Sequence, residues 1–437
     1  MRIRELTLLS ALGACAACSS QSADDVVGGV GDMALAGADM ARESEPDMAM
    51  DNGSPSGKYP APHADLPMVE SPGGPILNKP IWVPVFFANE DPAMKMQILD
   101  FLGKVGTSQY WSDALSEYGV GPGATWPAVV ELQETPPASL TDQEIQIWLA
   151  GKLDADDPAL PAAKANMIYV LHYPSGTTIT LPSGFNGTST SCVEFGGYHS
   201  DVHLDTNHFK TDVVYAVIPR CDQFGKFSGI DAITTTESHE LAEAATDPYP
   251  QTNPAYQQVD SDHLYWMLAL GGGELGDMCA QEPNGFAQFG DLPYVVQRVW
   301  SNDAAAAGHD PCRPVPSQTA YFNAIPDFKD TVTINLGQEI TMPGIQVPVG
   351  QSKTVDLDLF SDGDTGGSWS VKVLDFSAIA GGPSSATYSL DRNRGQNGEK
   401  LHLTIKSTRK SQYGADIFAI ESTLRGASHL YYGLIGQ

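Results

Sequence analysis

The pattern of the chain changes at Pro314–Pro316, and this change constrains the fold more than any other feature. Before it, short apolar runs such as 81–87 (IWVPVFF) alternate with segments that have apolar residues at helical spacing, such as 230–246. After it, strand-like runs and turns follow one another without a convincing helix. The sequence therefore predicts an α/β or α+β domain over 75–316 and an antiparallel β-sandwich over 317–437.

The N-terminus has the composition of an export signal. A short basic head precedes the apolar run Leu6–Ala14, which is too short to span a membrane as a mature helix. The small residues that precede Cys15 match a bacterial lipoprotein signal, with Cys18 as the second choice for the lipidated thiol. The simpler interpretation is an ordinary signal peptide that is cleaved after a small residue. We expect a lipoprotein-type signal over residues 1–18.

Residues 19–74 are of low complexity. They repeat Asp-Met-Ala with Gly and Ser, and they carry net negative charge with few aromatic residues. Such a segment cannot bury enough apolar surface to fold, so we expect a disordered acidic tether.

Charge limits the partners of the protein. The 437 residues include 24 Lys and Arg against 53 Asp and Glu, a formal net charge of −29. A surface this negative repels phosphate backbones, so we expect no nucleic-acid partner. No later run approaches the roughly 18 apolar residues of a membrane span, which leaves the lipid anchor as the only expected membrane contact. We expect a monomer in the cell envelope or outside the cell, with a peptide or a cell-wall polymer as its partner.

Four cysteines follow the signal region: Cys192, Cys221, Cys279 and Cys312. In an exported chain, an even set of this kind indicates two disulfides, and four cysteines allow three pairings. We favour Cys192–Cys221 and Cys279–Cys312 because each closes a loop of moderate length. A zinc cluster is disfavoured because these four include no CxxC pair.

The segment 238–248 (SHELAEAATDP) carries the clearest chemistry. On a helix, His239 and Glu243 project from one face, and together they can chelate one Zn²⁺. Glu240 takes the place of the general base in HExxH enzymes, while Asp247 lies one turn further on as a ligand or an orienting group. The second ligand is Glu rather than His. A satisfied hydrogen-bond network and a solvent-exposed charge are the two simpler interpretations.

A third ligand is expected from the glycine-rich segment 271–279 (GGGELGDMC). Its glycines allow close approach of the backbone, and it presents Glu274 and Asp277 as candidates. This segment resembles the downstream Glu segment of thermolysin-like zincins. His199, in GGYHS, is a candidate for polarising a substrate carbonyl; a purely structural histidine is an equal alternative.

Several stretches, in this order, resemble the EXORDIUM or phosphate-induced protein family of plant cell walls and its bacterial relatives. They include IWVPVFF, NMIYVLH, Cys192 with GGYHS, YAVIPRC, SHELAEAATDP and GELGDMC, and they cover about 80–315. The resemblance implies an extracellular protein with an HELAE-type helix followed by an acidic segment that ends in Cys. It does not cover the tether or the sandwich.

Two functions follow as expectations. The first is a zinc-dependent hydrolase, most plausibly a peptidase, with a zincin-like helix that supplies His239 and Glu243, with Glu274 as third ligand and Glu240 as base. The second is a non-enzymatic wall or matrix protein whose metal, if any, is structural. A closed four-ligand site favours the second function, and three ligands beside an open cleft favour the first.

Overall fold

The computed structural model describes residues 57–155, 159–183, 187–205, 210–316, 320–376, 383–411 and 413–437. It confirms a β-rich protein with 39% strand and 19% helix. The predicted signal over residues 1–18, both candidate lipidation sites, Cys15 and Cys18, and the first part of the tether lie outside the described residues.

The strands before residue 316 are short except around one central sheet. They are β1 (Val69–Glu70), β2 (Ile81–Phe86), β3 (Ala124–Thr125), β4 (Val130–Glu131), β5 (Ser139–Thr141), β6 (Met167–Tyr173), β7 (Thr178–Ser183), β8 (Gly187–Thr190), β9 (Tyr198–Asp205), β10 (Lys210–Pro219), β11 (Gln223–Phe224), β12 (Phe227–Ser228), β13 (Gln258–Val259), β14 (Phe286–Phe289), β15 (Leu292–Gln297), β16 (Val299–Trp300) and β17 (Cys312–Arg313).

The helices of this part are α1 (Pro92–Val105), α2 (Gln109–Leu115), α3 (Asp142–Asp154), α4 (Ile230–Thr246), α5 (Tyr265–Leu270), α6 (Asp277–Ala280) and α7 (Asn302–Ala306), with a 3₁₀ turn at Ser116–Tyr118. Local capping explains two starts. The Asp91 side chain accepts the Met94 N–H at 2.7 Å before α1, and Thr141 forms a capping box with Glu144 before α3. Within the described residues, every helix is too short or too polar to span a membrane.

The central sheet has the spatial order β3-β2-β6-β10-β9, with β4 also paired to β2. All of these pairs are parallel except β9, which joins the edge antiparallel to β10. Strand β6 is buried throughout, because alternate residues face opposite layers. Ile168 and Val170 pack in the cluster that contains α1 and α4, while Tyr169 and Leu171 pack in the cluster that contains α3. The sheet therefore lies between two helical layers.

Both expected disulfides are confirmed. Cys192 bonds to Cys221 and Cys279 bonds to Cys312. The first joins the segment before β9 to the residue that follows β10 by two positions, and the second fastens α6 to β17. Each therefore fixes a segment next to α4.

The tether prediction is wrong for residues 57–74. In this segment Ala61, Leu66 and Val69 are buried, and β1 pairs with β13 through Val69 and Val259. The Ala61 N–H also donates to the Asn397 side chain at 3.0 Å. Buried apolar side chains and hydrogen bonds to the rest of the protein thus hold a segment whose composition had indicated disorder.

After residue 320 the chain forms two sheets. Their strands are β18 (Phe322–Pro326), β19 (Asp330–Asn335), β20 (Glu339–Gln346), β21 (Ser352–Ser361), β22 (Trp369–Asp375), β23 (Ala386–Leu390), β24 (Arg394–Gly395), β25 (Lys400–Ser407), β26 (Ala415–Leu424) and β27 (Ala427–Gly436). One sheet has the order β18-β21-β25-β23 and the other β19-β20-β27-β26-β22-β24. The prediction of a wholly antiparallel sandwich needs one correction, because β20 and β27 pair in parallel.

The sandwich has its own core and also contacts the first domain. Leu357 and Leu403 from one sheet pack in a cluster with Trp369 and Phe418 from the other. At the domain boundary, Trp266 of α5 lies 5.4 Å from Tyr431 and 4.9 Å from Tyr432 of β27, measured between ring centroids, in edge-on geometry. The domains therefore share an aromatic contact.

Candidate functional site

Helix α4 is buried along nearly its whole length. Every residue from Ala232 to Thr246 is buried, and the helix ends at Asp247, just before Pro248. The spacing of four places His239 and Glu243 on one face, where His239 Nε2 lies 3.0 Å from Glu243 Oε2. Neither atom has a hydrogen-bond partner despite this distance. The two atoms are therefore close together without a hydrogen bond, as expected for two ligand atoms that point at one shared site.

The glycine-rich segment packs directly against this face of α4. The N–H groups of Gly276 and Asp277 each donate to Glu243 Oε1 at 3.1 Å. A Cβ atom at Gly276 would lie 2.7 Å from both Glu243 Oε1 and His239 Nδ1, so a larger residue would push the segment away. The expected role of these glycines in close approach is therefore seen at Gly276.

The segment brings Asp277 closer to His239 than it brings Glu274. Asp277 Oδ1 lies 3.8 Å from His239 Nε2, whereas Glu274 Oε1 faces His199 Nε2 at 3.9 Å. The expected set of His239, Glu243 and Glu274 therefore changes in its third member. Asp277 is next to His239 because its own N–H is bonded to Glu243, which fixes the start of α6 against α4.

His199 reaches the same place from the sheet. It lies on the edge strand β9, and its Nε2 is 3.1 Å from the Asp247 carbonyl oxygen. With Nε2–H donating to that carbonyl, Nδ1 presents its lone pair 3.5 Å from Glu240 Oε2 and 3.7 Å from Glu243 Oε2. The structure thus adds His199 to the residues that α4 supplies.

Asp247 itself plays two parts. Its Oδ1 accepts the Ala255 N–H at 2.6 Å, which holds the loop after α4, and its carbonyl orients His199. Its other carboxylate oxygen has no hydrogen-bond partner. The residue fits the expected orienting role through its backbone carbonyl.

Gln297 is a site residue that the sequence did not reveal. Its Oε1 lies 3.1 Å from His239 Nδ1, and its Nε2 donates to the Gly276 carbonyl at 2.6 Å. Since the second bond fixes the orientation of the amide, His239 Nδ1–H is the donor and Nε2 keeps its lone pair for a ligand. Gln297 ends the apolar strand β15, and nothing in that run distinguishes it from an ordinary strand residue.

Seven buried polar atoms of this cluster have no hydrogen-bond partner. They are His199 Nδ1, His239 Nε2, Glu240 Oε1, Glu240 Oε2, Glu243 Oε2, Asp247 Oδ2 and Glu274 Oε2. Burying even one polar group without a partner costs about 1–3 kcal/mol, and more when the group is charged. A bound cation would satisfy these lone pairs together, because imidazole nitrogen and carboxylate oxygen are ligands for divalent metals.

The donor atoms are close enough for metal binding. Within the part of the chain that the structure describes, two sets of donor atoms each fit inside 4.8 Å. One set comes from His199, Glu240 and Glu243, and the other from His239, Glu243 and Asp277. The residues therefore fit a divalent cation by chemical type, by proximity and by their lack of other partners.

Without a cation the cluster is electrostatically strained. Burial raises the pKa of Glu274 and Glu240, and burial next to Glu243 raises the pKa of Asp277 to about 8. For His239, burial lowers the pKa, but the carboxylates of Glu243 and Glu240 outweigh it and raise the pKa to about 10. The pKa values of these carboxyl groups and of the imidazole rise together, because five buried carboxylates have too little positive charge beside them.

Comparison with known proteins adds no family. No protein-family model matches the chain, and no curated protein matches it. Three solved structures show weak likeness: domains 4 and 5 of the S-layer protein SbsC, a Bacteroides ovatus GH5 xyloglucanase with a XXXG heptasaccharide, and chimeric titin Z1Z2.

The likeness covers only a quarter of the chain. Identities are 15%, 9% and 13%, with 25%, 26% and 26% of this chain covered. The matches span 52%, 19% and 93% of those chains, at TM-scores of 0.16, 0.16 and 0.15. The chain thus spans about half of the first of them, and none of the three bears on its function.

Proposed function

We propose that the protein is a divalent-metal-dependent hydrolase that cleaves peptide bonds, with Zn²⁺ as the ion. The observation that carries this proposal is the set of buried, unpartnered nitrogen and oxygen atoms around α4. A closed structural zinc site needs four donors, whereas this cluster has two imidazoles and five carboxylates. The surplus includes Glu240, both of whose oxygens are without partners, as a group that accepts a proton would require.

Each residue has a distinct part in this proposal. His239, Glu243 and Asp277 hold the cation, and His199 Nδ1 lies 3.7 Å from Glu243 Oε2 on the same site. Gln297 and the Asp247 carbonyl fix the two imidazoles. The cation supplies Lewis acidity that polarises a carbonyl and makes water a stronger acid. Glu240 lies between the two imidazoles, 3.5 Å from His199 and 4.0 Å from His239, and acts as the general base.

The resemblance of the sequence to the EXORDIUM family and to zincins supports this proposal. The HELAE motif lies on one helix, and the acidic segment that ends in Cys279 contacts it. We propose that the protein belongs with the bacterial relatives of that family. We also propose that it is exported and lipid-anchored, which is compatible with its two disulfides.

Burial favours a second candidate, a wall or matrix protein with a structural metal. All seven side chains are at least nine-tenths buried; His199, the most exposed, is 8% exposed. A substrate could reach the cluster only if a covering segment moved. Such a protein would bind metal and hydrolyse nothing.

Metal content of the purified full chain separates these possibilities. We expect zinc in the wild type and a clearly lower zinc content in His239→Ala and Glu243→Ala. His203→Ala is the matched control, because His203 lies on β9 with His199 but is exposed and pairs with Asp212. Unchanged zinc in both site variants would reject the site.

Hydrolysis is tested on the metal-loaded chain with a library of fluorogenic peptides. We expect turnover in the wild type and in His203→Ala, and in Glu240→Gln a loss of turnover while zinc stays bound by His239, Glu243 and Asp277. Turnover retained in Glu240→Gln would remove Glu240 as base. Metal bound stoichiometrically without turnover on any peptide would establish the structural alternative.

A further inference from the structure

The donor atoms around α4 divide into two sets that have one residue in common. His199 and Glu240 belong to one set, His239 and Asp277 belong to the other, and Glu243 belongs to both. Each set contains one imidazole and two carboxylates, which is a sufficient protein contribution for one ion with a position left open. This division is a property of the site that a single-ion interpretation of the HExxE motif leaves unexplained.

Glu243 is held in a way that suits a bridging ligand. Two backbone N–H groups bind its Oε1, so that oxygen is fully occupied and the carboxylate cannot rotate freely. Its Oε2 has no hydrogen-bond partner and lies 3.0 Å from His239 Nε2 and 3.7 Å from His199 Nδ1. One oxygen atom therefore faces both imidazoles.

The two imidazoles are fixed independently of each other. Asp247 presents its carbonyl to His199 Nε2, and Gln297 presents its amide oxygen to His239 Nδ1. The remaining nitrogen of each ring is buried and unpartnered. Each ring is thus prepared as a neutral metal ligand by its own anchor.

A charge count favours two ions over one. The buried carboxylates are Glu240, Glu243, Asp247, Glu274 and Asp277, which carry −5 when ionised beside neutral imidazoles. One divalent cation leaves −5 + 2 = −3, and two leave −5 + 4 = −1. Uncompensated buried charge is costly, so the second ion removes most of what the first leaves.

We propose that the site holds two divalent cations, bridged by Glu243 Oε2, one beside His199 and Glu240 and the other beside His239 and Asp277. Two-ion hydrolytic centres place their ions about 3.5–4 Å apart, a separation that a shared carboxylate oxygen can span. Glu240 has two unpartnered oxygens, so Oε2 binds the ion beside His199 while Oε1 remains to accept a proton. This inference rests on the proposed metal binding and specifies how many ions that function uses.

Metal stoichiometry is the primary test. The full chain is stripped of metal and titrated with Zn²⁺ by isothermal calorimetry, and the bound zinc is then counted by plasma mass spectrometry after gel filtration. We expect two ions per chain at saturation. Saturation at one ion would overturn the two-ion centre and leave the proposed metal-dependent function standing, whereas no bound ion would overturn both.

Variants test the assignment of each ion. We expect His199→Ala and His239→Ala each to fall from two ions to one, and Glu243→Gln, which keeps the shape of the side chain, to fall to one or none. The control His203→Ala should keep two. Circular dichroism checks that each variant is folded, and for an unfolded variant the matching Gln substitution, His199→Gln or His239→Gln, replaces it. The proposed bridge by Glu243 would be contradicted if each histidine variant lost both ions while Glu243→Gln kept two.

Magnetic coupling tests whether the two ions are neighbours. With Mn²⁺ in place of Zn²⁺, electron paramagnetic resonance should show an exchange-coupled pair in the wild type and a single-ion spectrum in His199→Ala. Two bound Mn²⁺ ions with only single-ion spectra would place the second ion elsewhere and refute the shared Glu243.

Discussion

The two domains place their charges in opposite ways. Among the described residues of the sandwich, the buried polar side chains belong to Asn, Ser and His, and every Asp, Glu, Lys and Arg is at least partly exposed. The first domain buries several carboxylates, five of them in the cluster around α4. A sandwich that only has to fold avoids buried charge because desolvation is expensive. Elsewhere in the first domain a buried carboxylate has a protein partner, as Asp310 has Arg298. The cluster around α4 lacks enough such partners, and we infer that a ligand supplies the compensation.

The largest effect should come from removing a core side chain in either domain. Leu241→Ala on α4 and Leu403→Ala on β25 each leave a cavity at a fully buried position, so each should lower the free energy of unfolding by about 2–5 kcal/mol in urea denaturation. Only Leu241→Ala should also lower bound metal, because Leu241 lies between His239 and Glu243 on the helix. An equal loss of metal in Leu403→Ala would show that the domains do not respond separately.

Removing metal should affect one domain. At a free-ion concentration 100 times the dissociation constant, binding stabilises the folded state by about 2.7 kcal/mol. We expect a chelator to speed hydrogen exchange in 230–247 and 271–280 and to leave 400–407 and 427–436 unchanged, as measured by mass spectrometry. Chelation that leaves the exchange of α4 unchanged would argue against a bound ion there.

Gln297→Ala should weaken metal binding without removing a ligand. The variant loses the acceptor that orients His239, and such losses typically cost 10–100-fold in metal affinity. Competition with a chromogenic chelator measures this change. Gln288→Ala is the control, because Gln288 is exposed on the neighbouring strand β14. Equal affinities in the two variants would reduce Gln297 to a packing residue.

The smallest effect should come from the surface charges of the sandwich. Lys400 Nζ lies 2.8 Å from Asp358 and 3.2 Å from Asp356, but half of its side chain is exposed, so Lys400→Ala should cost no more than about 1 kcal/mol. The hydrogen bond from Lys400 lowers the pKa of Asp356. The stabilisation is therefore present above the unfolded pKa of about 3.9 and is lost as the pH falls through the lower folded value.

The difference between wild type and Lys400→Ala should accordingly be larger at pH 7 than at pH 2, and smaller in 1 M salt. Urea denaturation under the three conditions measures it. A difference that stays the same at pH 2 and in 1 M salt would mean that the cost arises from lost packing of the lysine stem.

Local pattern was enough for the longest elements. The helix Pro92–Val105 begins after its capping residue Asp91, and the helix Ile230–Thr246 follows its apolar periodicity and ends shortly before Pro248. Strand β4 is only two residues long, because only Val130 and Glu131 pair with β2. In the sandwich, β18, β20 and β23 have no clear alternation of apolar and polar residues, because Pro, Gly or polar residues interrupt it.

The site was predictable in part. The spacing alone places His239 and Glu243 on one helical face, and the glycines of 271–279 predicted that this segment packs closely against another part of the chain. Three features depend on contacts between distant segments: Asp277 lies beside His239, His199 comes from β9, and Gln297 anchors His239. The bond from Asp277 to Glu243 spans 34 residues of sequence, and the bond from His239 to Gln297 spans 58. No local periodicity encodes such contacts.

The amino-acid sequence by itself determined the change from mixed helices and strands to strands alone, the even set of four cysteines after the signal region, and one helix with an imidazole and a carboxylate on the same side. Those features follow from short-range geometry, which the order of residues fixes. Only the tertiary structure decided that residues 57–74 are folded, that two strands of the sandwich run parallel, and that seven buried polar atoms of the cluster around α4 have no hydrogen-bond partner. These outcomes depend on which segments, far apart in the sequence, pack against each other and exclude water. Such contacts exist only in the folded chain.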